Sequence, residues 1–208
     1  MICKVLSTIK KLIPILLLLM QPVVASSLSE GALRLIQTGN EINSPSVIMS
    51  GQRLLLKGMF KFNDLDAAYE SSKQVRSGNR LMGYSPQIPM ANKILATLLK
   101  KGYDPAIYDS ALYLLDGDNG FVQDALMALN LFEESVRMYA NPQSAFIAAV
   151  IRNESLVSVL KDKWRIDELI TFAVLNRVKG AVQYQAQYIN NRQNHLQVKN
   201  WRNWLANQ

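Results

Sequence analysis

The sequence predicts an all-α fold, a short right-handed αα solenoid of antiparallel helix pairs with a C-terminal capping helix. Three observations predict it. Past residue 25, apolar residues recur at spacings of three and four, and no alternating β-branched run suggests a strand. The connections are short and hold Gly, Asn, Asp or Pro, which makes sequential helices antiparallel neighbours. The sequence also matches itself when shifted by 37 residues, a period at which two-helix units stack.

The first 25 residues stand apart from this pattern. Lys4, Lys10 and Lys11, with no acid among them, precede the short apolar run "LIPILLLLM", and "QPVVASS" follows. A positive start, a short apolar stretch and small residues after it describe a secretory signal, cut after Ala25. Pro14, Gln21 and Pro22 keep the run below the ~20 residues that span a bilayer, so no stable membrane span is expected after cleavage. The expected product is exported, either periplasmic or secreted. The single cysteine, Cys3, would leave with the signal, which excludes disulfides, Cys–metal ligation and Cys nucleophiles. The net charge of +7 would fall to +4 with the three signal lysines. The remaining cations are dispersed, with no Arg/Lys run suited to many phosphates, so nucleic acid is not an expected partner.

Helices are then expected over Ser29–Thr38, Pro45–Leu56, Asp64–Val75, Ile88–Lys101, Pro105–Leu115, Val122–Tyr139, Gln143–Asn153, Leu156–Lys161, Ile166–Val178 and Ala181–Asn207. The 37-residue shift places Tyr84 on Phe121, Met90 on Met127, Ala91 on Ala128, and Ile94 and Leu95 on Leu131 and Phe132. It also places Leu99 on Val136, Asp104-Pro105 on Asn141-Pro142, and Ala111 on Ala148. These are apolar and turn positions, the ones a structural repeat keeps. Ala111 and Ala148 suit a close helix–helix approach, and Leu131, Phe132 and Val136 fill the space between hairpins. Pro105 and Pro142 fit the first helical position, with Asp104 and Asn141 before them as N-caps. A fainter copy appears at a shift of 60, with Pro45, Ser50, Gly51, Leu54 and Leu55 on Pro105, Ser110, Ala111, Leu114 and Leu115. That shift is no multiple of 37, so an insertion is expected within residues 63–86.

The best unit, about 104 to 141, resembles a Sel-one-like repeat, a relative of the tetratricopeptide repeat. The resemblance rests on Ala111, Leu112 and Leu115 in a first helix and Gly117 and Gly120 in the loop. Val122 and Asp124 follow, then Ala128, Phe132 and Ser135 in an aromatic-containing second helix. A second unit matches in part, over 84 to 104. The sequence departs from the family pattern at Asn130-Leu131, where a Trp-Tyr pair is common, and near Met138, where a small residue is missing. The resemblance implies a protein-binding module, an adaptor or scaffold in the bacterial envelope, secretion machinery or host contact. It implies a concave groove lined by the first helices of successive pairs, with Tyr84, Tyr108, Asp109, Tyr113 and Arg152 as lining residues.

The repeat region is expected over 26–155, and residues 156–208 do not repeat. Tyr184, Tyr188, His195, Val198, Trp201 and Leu205 form one stripe on a long Gln/Asn-rich helix. Two readings of it stand: a cap whose outer face is polar, or a partner-binding or dimerising helix anchored by Trp201 and Trp204.

Catalytic and metal chemistry finds little support. "LDGDNGFVQD", Leu115 to Asp124, has the acids of a calcium loop, but counting from Asp116 puts Gly120, Phe121 and Met127 where a ligand, the glycine and the bidentate Glu belong. It reads as a hairpin loop, with Gly117 as a left-handed cap and Asp124 favouring the next helix's N-terminus. His195, the sole histidine, leaves zinc without ligands. Glu154-Ser155 is weakly similar to the Glu-Ser pair of lytic transglycosylases, where one Glu acts as acid and base on peptidoglycan. That is the alternative enzymatic reading. The leading expectation is a non-enzyme with no cofactor and no metal, which binds proteins and is free to self-associate.

Overall fold

In a computed structural model of the protein, residues 28–158 and 162–194 are described. The expected signal, His195, Trp201 and Trp204 lie outside them. The described residues are all-α: a helix over 28–41 (α1), then α2 (Pro45–Lys61), α3 (Leu65–Ser77), α4 (Ile88–Lys100), α5 (Asp104–Asp116), α6 (Ala125–Tyr139), α7 (Pro142–Asn153), α8 (Lys163–Leu175) and α9 (Ala181–Asn194). No strand occurs among them; Asn79 and Tyr84 form one isolated antiparallel bridge. The chain divides at Lys101/Gly102 into two units.

In the first unit α2 packs on α3 and α3 on α4. Ala32, Ile36, Leu55 and Ala67 are buried together. Small residues set the approach. A Cβ on Gly51 would lie 2.5 Å from the Ala32 carbonyl oxygen, so α1 and α2 touch where a glycine replaces the side chain. Gly58 meets Ala67 in the same way between α2 and α3. The α3 helix opens on Asp64, whose carboxylate accepts from the Ala67 N–H at 3.1 Å and from Ser29 Oγ at 3.0 Å. The segment expected to be an insertion therefore contributes a whole packed helix. Its remainder is the tight turn closed by Asn79 and Tyr84, which exchange backbone hydrogen bonds. The α3 helix pairs with α4 as α5 pairs with α6, and begins 39 residues before α5, so it takes the place of a first helix in the repeat rather than an insertion, and the 60-residue shift merely sets α2 on α5.

The second unit is built around α7. Every residue of α7 from Ser144 to Ile151 is buried, so the helix is apolar nearly all round, as a central helix must be. It packs against α6 and α8, and α5 pairs with α6. Phe132 of α6, Phe146 of α7 and Tyr184 of α9 are fully buried in one cluster. Each such side chain contributes about 1.5–3 kcal/mol when removed from water.

The repeat positions match in burial as well as in sequence. Ala91 and Ala128 are buried, as are Leu95 and Phe132, and Ala111 and Ala148, while Met90 and Met127 are exposed. The α4 and α6 helices begin 37 residues apart, at Ile88 and Ala125.

Three local expectations are corrected. The α6 helix starts at Ala125 rather than Val122, because Asp124 is its N-cap and accepts from the Met127 N–H at 2.9 Å. Asp104 is the first residue of α5 and not its cap; Tyr103 holds that position, and the Asp104 carboxylate is engaged elsewhere. Residues 156–158 bend instead of opening a helix. Ser155 takes a φ of 55°, and the Leu156 N–H returns to the Ile151 carbonyl, which terminates α7. Residues 159–161 are outside the described set. Asp162 then caps α8 by accepting from the Arg165 N–H.

Candidate functional site

The residues expected to line a groove fall into both units. Tyr84 is in the first, where it borders a cleft of about 190 Å³ with Gln52, Leu55, Leu56, Ser71, Gln74 and Val75. Its hydroxyl accepts a hydrogen bond from Gln52 Nε2. The turn that carries Tyr84 is held by the Asn79 bridge, so the ring is positioned by backbone as well as by side chain. Leu56, exposed on α2, is an apolar residue on the rim of this cleft.

Tyr108, Asp109 and Tyr113 lie on α5 of the second unit. Asp109 and Tyr113, four positions apart, share a face of the helix, whereas Tyr108 is turned away from Tyr113. Tyr108 meets Phe132 edge-on, with ring centroids 5.8 Å apart. Burial, then the neighbouring Asp109 carboxylate, pushes its hydroxyl up to about 12. Tyr113 packs on Phe121 of the following loop at 5.6 Å. Part of each ring is therefore used in holding α5 to its neighbours.

Arg152 is engaged in structure. Its Nε and Nη2 donate to the two oxygens of Glu133 at 2.7 and 2.9 Å, a bidentate link from α7 to α6. Arg165 of α8 approaches the same carboxylate at 3.6 Å and also pairs with Glu168. The Glu133 hydrogen bonds hold the Arg152 guanidinium above its ordinary value, against a smaller opposing effect of burial.

The Glu154 carboxylate accepts from the Tyr184 hydroxyl at 2.8 Å and from Asn153 Nδ2 at 3.1 Å. Asn153 Nδ2 also donates to the Tyr184 oxygen at 2.8 Å. Tyr184 is fully buried, with its ring edge-on to Phe146 at 5.7 Å. Burial drives its hydroxyl far above the tyrosine range, the nearby Glu154 charge adds to this, and the Asn153 hydrogen bond opposes it. Glu154 thus joins the end of α7 to α9. Among the described residues, no group of three or more His, Cys, Asp or Glu side chains is placed to hold a metal. Residues 117–124 form the loop between α5 and α6. Gly117, at φ 67°, donates its N–H to the Tyr113 carbonyl, and Gln123 Nε2 closes the loop on the Leu115 carbonyl.

Sequence reasoning missed the polar junction of the repeats. Asp104 Oδ1 accepts from Ser135 Oγ at 2.5 Å, and Oδ2 accepts from Asn141 Nδ2 at 2.8 Å. Ser144 Oγ and Ser135 Oγ lie 2.8 Å apart. Asn141 Oδ1 accepts from the N–H groups of Gln143 and Ser144, capping α7. The Tyr139 hydroxyl donates to the Gly102 carbonyl. The signal was present: Gly102 and Tyr139, and Asp104 and Asn141, are pairs related by the 37-residue shift itself.

No protein-family model matches the chain, and no curated protein matches it. A solved structure does, that of a protective antigen present in uropathogenic Escherichia coli strains displaying an SLR fold. The TM-score is 0.53 at 19% identity, over 62% of this chain and 26% of that one. The match therefore covers about a quarter of that protein's length. At this identity the likeness shows the fold. The chain is an all-α helical-repeat protein, as its spacing predicts.

No helix among the described residues is long and apolar enough to cross a membrane.

Proposed function

We propose that this is an exported protein-binding module, acting as an adaptor or scaffold in the bacterial envelope, in secretion machinery or at host contact. The observation that carries the reading is the Tyr84 cleft. A recess with Leu55 at its base, exposed Leu56 on its rim and Tyr84 held by two independent contacts offers a preformed seat for a partner side chain. Binding there costs little ordering of the receptor, which is how a rigid repeat gains affinity. In the second unit, the face shared by Asp109 and Tyr113 is a further candidate contact. The basic, apolar and small-residue succession of residues 1–25 supports export.

The test uses a photo-crosslinking amino acid at position 84 in the full chain, expressed in its own host. A discrete crosslinked protein, lost when Leu56→Ser is added, is the expected result. Crosslinks that are absent, or unchanged by Leu56→Ser, would remove this face from the proposal. Mass determination of the mature protein from the envelope or medium tests export, with an N-terminus at Ser26 expected.

A further inference from the structure

We infer that a second cleft in the first unit is a receptor for an acidic peptide segment that inserts an apolar side chain. The inference rests on the protein-binding reading above but uses a different surface.

The cleft lies where the end of α2, the start of α3 and the length of α4 meet, and its volume is about 250 Å³. That is below the ~300–1,000 Å³ of small-molecule sites, with room for one or two side chains. Met59, Leu65 and Ile94 form half-buried apolar walls. Phe60 on the rim is 76% exposed, and Phe62 just beyond it is 55% exposed. A monomer has little reason to keep two phenylalanines in water beside an apolar recess unless something covers them.

Charge identifies the occupant. Lys93 and Lys101 line the cleft, and Lys61 sits between the two phenylalanines in sequence, 5.9 Å from the Phe62 ring centre. Lys101 donates to the neutral Asn63 side chain at 2.6 Å. None of the three lysines forms an ion pair among the described residues, whereas Lys73 and Arg34 of the same unit do. The one acid in the lining, Asp64, is buried and accepts from Ser29 and from the α3 backbone. Residues 28–101 carry ten Lys or Arg against five Asp or Glu, while residues 102–208 carry ten against eleven. The positive balance thus belongs to the unit with this cleft. An apolar recess with unpaired lysines on its rim is complementary to an apolar anchor flanked by carboxylates. The recess beside the two exposed phenylalanines favours a peptide over a lipid surface, because a cavity seats an anchoring side chain and gives a bilayer nothing to bind.

The experiment measures fluorescence anisotropy of a short labelled peptide with a Leu-Phe core between glutamates, titrated with the full chain. Its twin with glutamines for glutamates and vesicles of anionic phosphatidylglycerol are run beside it. The glutamate peptide should bind, the glutamine twin should bind more weakly, and added salt should weaken the former. Phe60→Ser and Lys93→Glu should each weaken binding roughly tenfold. Arg53→Glu is exposed and outside the cleft lining, and makes the same charge change with little effect. Equal binding of the two peptides, or equal loss with Arg53→Glu, would overturn the proposal. So would vesicle binding that depends on Phe60 without peptide binding. A crosslinked partner at position 84 that persists in Phe60→Ser would leave the broader reading intact, so the two can fail separately.

Discussion

Asn141 donates a hydrogen bond to Asp104 at 2.8 Å, and the two residues occupy the same position in successive repeats. The spacing along the chain is here also a step in space: the start of one repeat is stitched to the start of the next. Had the two copies stayed identical as aspartates, two carboxylates would meet at this junction. Asn141 replaces that repulsion with a donor and still caps α7 with its oxygen.

Removing the acceptor should expose the junction's energetic role. Asp104→Ala leaves Asn141 Nδ2 and Ser135 Oγ without their shared acceptor. A loss of about 1–3 kcal/mol is expected, read from urea unfolding. Asp104→Asn retains one acceptor oxygen and should lose less.

Glycines on the first unit divide by what surrounds them. In Gly51→Ala the new methyl meets the Ala32 carbonyl and the Ile36 side chain, at 2.5 and 2.7 Å. It should cost about 1–3 kcal/mol through displacement of α1 from α2. Gly31 is helical with nothing within 4 Å of the added Cβ. Gly31→Ala should be stabilising by up to about 1 kcal/mol. Thermal unfolding of the two variants checks the opposite signs.

Ala140 ends α6 in the left-handed region, at φ 50°. An L residue with a Cβ is strained there, and a glycine is not. Ala140→Gly should raise stability by about 0.5–1 kcal/mol, after the entropy a glycine adds to the unfolded chain. Unfolding midpoints in urea report the difference.

Alkaline pH should loosen the second unit. Tyr108 in the folded chain holds its proton up to about 12, against ~10 for an unfolded tyrosine. The unfolded state loses the proton first, so this contribution is complete below about pH 10 and falls as pH rises toward 12. Tyr184 acts in the same direction. Tyr108→Phe should flatten the fall, measured by denaturant titrations across that range with tyrosinate absorbance as the second readout.

The helices were legible because their signals are local. Asp64, Asp124, Asn141 and Asp162 cap α3, α6, α7 and α8 from positions that short-range chemistry favours. The repeat was legible because burial constrains Ala91 and Ala128 alike. The contacts made by the expected groove residues were not, since they depend on partners distant in sequence. Nothing near Arg152 in the chain announces Glu133, nineteen residues back, as its bidentate partner. Nor does anything beside Glu154 in the chain announce its donor, Tyr184, thirty residues on. The lysine-rimmed cleft was equally hidden, because Phe60 and Lys93 become neighbours only when α3 folds between their helices.

The enclosure of α7 has a bearing on how the chain could be shortened. Tyr184 closes over Phe146 and ties the end of α7 through Asn153 and Glu154. A protease or a genetic truncation that removed α9 would not trim an ornament; it would wet the most deeply buried helix of the unit. Backbone amides of α7 should accordingly be among the slowest to exchange with solvent deuterium, and they should lose that protection when the C-terminal helix is cut away.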